Sequence, residues 1–120
     1  MHSFLEELRF ENCDVDSAME RCLNDEEFYL SCFKLAVADS AFEKLGNALE
    51  KNDLEKAFEY AHGLKGVTGN MGITPLYNKV VEIVEPLRNR KEDIVVLKAI
   101  YNEIMSIRKR FSDISDKYQL

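Results

Sequence analysis

The stretch DLEKAFEYAHGLKGVTGNMG, residues 53–72, is where the reading of this chain begins. Its apolar row is Leu54, Ala57, Ala61, Leu64, Thr68 and Met71, recurring every three or four residues. That is the period of an amphipathic helix with one buried face. Asn52-Asp53 closes the preceding segment and caps this one, and Gly72 ends it, as helix C-termini prefer. The same stretch holds His62, one of two histidines, and Gly63, Gly66, Gly69 and Gly72, four of the five glycines. Glycine in a helix interior costs about 1 kcal/mol relative to alanine. Three glycines beside one histidine therefore weaken the helix, and departures from local rules tend to mark functional sites.

Working outward, helical periodicity runs nearly from end to end and strand signals are almost absent. A short helix is expected over residues 3–10, and a second, capped by Asp14 or Asp16, runs to residue 23. A long helix is expected over 25–51, with Phe28, Cys32, Leu35, Phe42, Leu45 and Leu49 as its apolar row. Asp39 interrupts that row and calls for a bend or a polar contact there. After the helix at 53–71, Thr74-Pro75 opens one over 75–90, with Leu76, Val80, Ile83 and Leu87 inward. Pro86 is expected to kink or shorten it. The last helix, 92–118, faces Leu97, Ile100, Ile104, Ile107, Phe111 and Ile114 inward. The expected fold is all-α: an antiparallel up-down four-helix bundle with one or two short N-terminal capping helices, forming one domain over residues 1–120.

Composition narrows the function. The chain has 120 residues, 46% of them apolar and 32% charged, with a net charge of −6. An acidic chain does not suit a nucleic-acid backbone as its main partner. The one basic cluster, Arg108-Lys109-Arg110, reads as a solvated helix face. No 18-residue apolar run or signal peptide is apparent, so no membrane association is expected and the cytoplasm is the expected location. Cys13, Cys22 and Cys32 fit neither a zinc site nor a disulfide framework and read as reduced and packed.

On the helical wheel His62 lies about 140° from the centre of the core row, on the solvent side. Phe58, Lys65, Gly66 and Gly69 are its neighbours on that surface. The bland reading is an exposed histidine with no task, beside glycines that permit a close helix crossing. That explanation partly suits Gly63. It suits Gly66 and Gly69 less, because they lie beside His62 rather than in the core row. Lys65 is either a solubilising charge or a cation placed to offset a dianionic group on the imidazole.

The run His62-x-Leu64-Lys65-Gly66-x-x-x-Asn70-Met71-Gly72 resembles the signature of histidine-containing phosphotransfer (HPt) domains, with Met71 where leucine is usual. The segments 14–23 and 25–30 also resemble the family's short helix and the start of its long one. The resemblance implies a four-helix bundle and reversible phosphorylation of His62 on an imidazole nitrogen. The phosphoryl group would be exchanged with an aspartate on a response-regulator receiver domain. Lys65 would stabilise it. Gly66 and Gly69 would leave room for the receiver, with Phe58, Gly63 and also Lys34 as contacts. Asn70 and Gly72 would hold the helix end and its loop. No cofactor or metal is expected on this chain, magnesium being expected on the partner receiver. Receivers, or a hybrid sensor histidine kinase, are the expected partners, and the chain is expected to be a monomer.

The chain has no Gly-rich phosphate loop and no nucleotide-binding signature, so it reads as a phosphotransfer carrier rather than a kinase or other enzyme. A helical adaptor that binds receiver or kinase domains without being phosphorylated is the alternative. It would need neither His62 nor Lys65. A metal-dependent helical enzyme is disfavoured, because Glu59 one turn from His62 is a single pair and not a ligand set.

Overall fold

The computed structural model describes residues 3–90 and 92–119. Among these there are seven helices: α1 (Phe4–Phe10), α2 (Val15–Arg21), α3 (Glu26–Val37), α4 (Ala41–Glu50), α5 (Leu54–Asn70), α6 (Thr74–Asn89) and α7 (Ile94–Asp116). Helix α4 packs against α5 and α7, α5 against α6, and α6 against α7. This closes a four-helix ring in an elongated body of 45 × 22 × 21 Å. Leu45, Leu49, Ala61, Leu64, Leu76, Ile83, Leu97, Ile104 and Phe111 fill its centre, all essentially inaccessible. The expected bundle and its rows on α5, α6 and α7 are observed.

Asp side chains start four of the helices. Asp14, Asp25, Asp53 and Asp93 accept from the backbone N–H groups of Ser17, Phe28, Lys56 and Val95. Each satisfies a donor that the first helical turn leaves free. Asn52 turns the chain between α4 and α5 at φ 54°.

The long helix expected over 25–51 is two helices. Asp39 accepts from the Ala41 N–H at 2.8 Å and ends the first run. A side chain that offers the backbone an acceptor competes with the helical ladder. The interruption resets the phase. Phe42, Leu45 and Leu49 point inward as expected, but ahead of the break the buried row is Tyr29, Phe33 and Val37, one residue out of register. Phe28 and Leu35 are consequently exposed.

Arg108 of α7 locks the break. It donates to the Val37 carbonyl at 2.7 Å, pairs with Glu43 at 2.7 Å, and lies 4.6 Å over the Phe42 ring. Arg110 grips Glu11 with two hydrogen bonds, at 2.5 and 2.6 Å, and Lys109 pairs with Asp113. Lys109 and Arg110 are exposed, as expected of a solvated face, whereas Arg108 is largely covered and ties α7 to α3 and α4. Sequence patterning sees the charges but not the partners Glu43, on α4, and Glu11, just after α1.

The two short helices cap one end, as expected. Phe4 of α1 meets Phe33 edge-on at 5.1 Å, and Phe33 meets Phe111 at 6.4 Å. Close approach between α4 and α7 depends on Gly46: a methyl there would overlap the Tyr101 ring, whose hydroxyl donates to the Phe42 carbonyl at 2.9 Å. Pro86 neither ends nor shortens α6. The helix continues to Asn89 and closes on Arg90 in the left-handed region at φ 52°. The three cysteines are free, and burial pushes the Cys13 thiol up to about 12.

Candidate functional site

Helix α5 carries the site, and its buried face holds the opposite face outward. Ala57, Ala61, Leu64 and Thr68 are fully inaccessible. The Thr68 hydroxyl is satisfied in the core by donating to the Leu64 carbonyl at 2.8 Å. His62 is exposed on the other side, as the wheel requires.

The C-terminal end of α5 is fixed from several directions. Gly72 adopts φ 66°, its N–H donates to the Gly69 carbonyl, and the Ile73 N–H donates to the Thr68 carbonyl at 3.0 Å. This pair of bonds is a Schellman closure, in which a left-handed glycine returns the chain onto the last turn. Asp14 N–H donates to the Gly72 carbonyl, Tyr29 to that of Met71 at 2.7 Å, and Arg21 to that of Asn70 at 3.1 Å. Helices α2 and α3 therefore brace the helix that presents His62. Asn70 contributes only its carbonyl. Its side chain makes no hydrogen bond among the described residues, so the expected structural role falls to Gly72, Arg21 and Tyr29.

Around His62, an open depression is lined by Lys65, Gly66, Gly69, Asn70 and Tyr77. On its other side the imidazole stacks at a tilt on Phe58, with ring centroids 5.7 Å apart. The Arg88 guanidinium covers the Phe58 ring at 5.5 Å and pairs with Glu85 at 2.9 Å. Lys65 is half-buried and makes no ion pair among the described residues. Lys34 does not line the depression, because its ammonium donates to the Tyr118 carbonyl at 2.5 Å.

The four glycines of the stretch divide by environment. A methyl on Gly63 or Gly66 would meet nothing within 4 Å. Gly63 is thus not at a helix crossing. Gly69 differs: a methyl there would sit 3.3 Å from two carbons of the Tyr77 ring, which would have to give by a few tenths of an ångström. At Gly72 a methyl would overlap the Asp14 carbonyl.

Tyr77 and Arg88 did not stand out in the sequence. Both reach the site from α6, and only the antiparallel packing of α6 on α5 brings them there.

No described side chain hydrogen-bonds to His62, and no group of three or more metal-ligating side chains occurs among the described residues. The arrangement presents an accessible imidazole, a side chain that can act as a nucleophile through its unprotonated nitrogen. No described helix is long and apolar enough to cross a membrane. No characterised protein and no solved structure matches the chain. The family model described as Hpt domain matches residues 34–104, a span that includes His62 and the whole of α4, α5 and α6. The chain therefore belongs to the Hpt domain family, phosphotransfer carriers rather than kinases, which serve histidine phosphotransfer in two-component signalling.

Proposed function

We propose that this chain is a cytoplasmic, monomeric phosphorelay intermediate with His62 as its phosphoacceptor. An unprotonated imidazole nitrogen of His62 attacks the phosphorus of a receiver's aspartyl phosphate. The N–P bond forms, the P–O bond to aspartate breaks, and the carboxylate leaves. The reverse reaction on a second receiver passes the group onward. The receiver supplies the acidic pocket and its magnesium. Lys65 offsets the negative charge of the phosphoryl group on His62.

The observation that carries this reading is the surround of His62: exposed, beside a half-buried Lys65, neither of them with a hydrogen-bond or ion-pair partner among the described residues, and with Gly63 and Gly66 facing open space. Such a site suits a nucleophile that must enter another protein's pocket. A panel of purified receiver domains loaded with acetyl phosphate tests it. Wild-type protein should take up acid-labile phosphate from at least one receiver. His62→Gln should take up none while keeping its helical circular dichroism. Labelling that persists in His62→Gln refutes the assignment.

A further inference from the structure

Tyr77 is the feature of the site that the reading so far does not use. Its ring lies on α6 beside the backbone of Gly69 and forms a wall of the depression that holds His62. The ring is half-buried, and its hydroxyl has no partner among the described residues. Helix α5 accepts a glycine at position 69, with its cost in helix propensity, and the contact this makes is with Tyr77. Gly63 and Gly66 make no comparable contact.

Transfer constrains what must cover this wall. Reacting atoms have to approach to about 3–3.5 Å. A domain that brings a phosphorylated aspartate that close to His62 must close over the depression, and so over Tyr77. The lining offers such a partner two kinds of surface: Lys65, its one charged side chain, toward the phosphoryl group, and an aromatic ring fixed against backbone at the Gly69 end. Rigid aromatic side chains with one wet edge are the residue class that most often anchors interfaces.

We propose that Gly69 and Tyr77 act as one docking element: the glycine seats the ring, and the ring anchors the receiver domain. This rests on the phosphorelay reading above. It assigns Gly69 to Tyr77 and leaves Gly63 and Gly66 as the positions kept open for the partner. Tyr77 is a positioning residue; it takes no part in the bond changes.

The test uses whichever acetyl-phosphate-loaded receiver labels His62 of the full chain. Initial transfer rates are measured against receiver concentration for wild type, Tyr77→Ala, Gly69→Ala and the double variant. Tyr77→Ala should raise the half-saturating receiver concentration roughly tenfold or more, a larger change than any fall in maximal rate. Gly69→Ala, which pushes the ring, should produce a smaller rise of the same kind and add nothing in the Tyr77→Ala background. An unchanged half-saturating concentration in Tyr77→Ala, or a loss confined to maximal rate, overturns the docking assignment. Additive effects of the two substitutions overturn the coupling. Should Tyr77→Ala melt below the assay temperature, Tyr77→Leu, with a smaller apolar wall, takes its place and should show the same split. A wild-type chain that no receiver labels refutes the phosphorelay reading itself. That outcome is distinct from labelling which Tyr77 does not influence.

Discussion

Gly66→Leu should make the protein more stable and a poorer phosphotransfer partner. Position 66 lies inside α5, on its exposed face, and a side-chain carbon added there meets nothing within 4 Å. No packing penalty opposes the substitution, so helix propensity sets its effect on stability. Glycine to leucine in a helix interior is worth about 0.7 kcal/mol. For a domain of this size that raises the melting temperature by roughly 2–4 °C. The same side chain rises beside His62, in the space a receiver must enter. A displacement of about 1 Å at the reacting centre can cost on the order of 100-fold in rate, so transfer should slow by roughly 10- to 100-fold. Urea titration followed by circular dichroism reads the first effect, and rapid-quench labelling from an acetyl-phosphate-loaded receiver reads the second. Wild-type transfer in a stabilised Gly66→Leu protein would show that the clearing does not serve the partner. A loss of stability beyond about 0.5 kcal/mol would show that position 66 is not open, since propensity alone predicts a gain.

Other positions probe the scaffold. Gly72→Ala should destabilise by about 2–4 kcal/mol. Left-handed backbone costs a non-glycine residue roughly 1–2 kcal/mol, and overlap with the Asp14 carbonyl also disturbs the Asp14–Gly72 hydrogen bond, worth about 1 kcal/mol. A melting temperature lowered by less than roughly 2 °C would contradict that. Acid should loosen the clamps of α7. Hydrogen bonding from Arg110 holds the Glu11 carboxyl below the usual carboxylate range, and Arg108 does the same for Glu43. Because the folded-state values lie below the unfolded ones, this stabilisation is present above the ordinary glutamate pKa of about 4.3 and is lost as pH falls through the folded values. Melting curves of wild type and Glu11→Gln should therefore differ at pH 7 and converge at acid pH, below the ordinary glutamate pKa of about 4.3. A gap undiminished at that pH argues against the carboxylate–guanidinium pair as its source.

The residue pattern was enough for local and periodic features. The apolar rows of α5, α6 and α7, the caps at Asp14 and Asp53, the outward direction of His62 and the terminating role of Gly72 all follow from the 3.6-residue repeat and from orphan backbone groups, which are properties of one segment at a time. The Hpt signature around His62 belongs to the same class, being contiguous on one helix. The features that depart from this pattern each involve a second segment. Asp39 was visible as an interruption. How far it rotates the buried face depends on Arg108, 69 positions away, filling the break and capping Val37. A single helical phase carried through residue 39 put Phe28 and Leu35 inside. The packed structure turns them out and buries Tyr29 and Phe33 against Phe4 and Phe111.

The site divides in the same way. Sequence alone determined that a histidine, a lysine and open glycines share the solvent face of one helix. Tertiary packing decided that the Tyr77 ring lies against Gly69, that Asn70 leaves its side chain without a hydrogen bond among the described residues while Tyr29 and Arg21 hold the helix end, and that Arg88 covers Phe58 beside the imidazole. Helical periodicity constrains the direction of a side chain about its own axis. It carries no information on which residue of a neighbouring helix will meet it, because that depends on the register at which two buried faces pack.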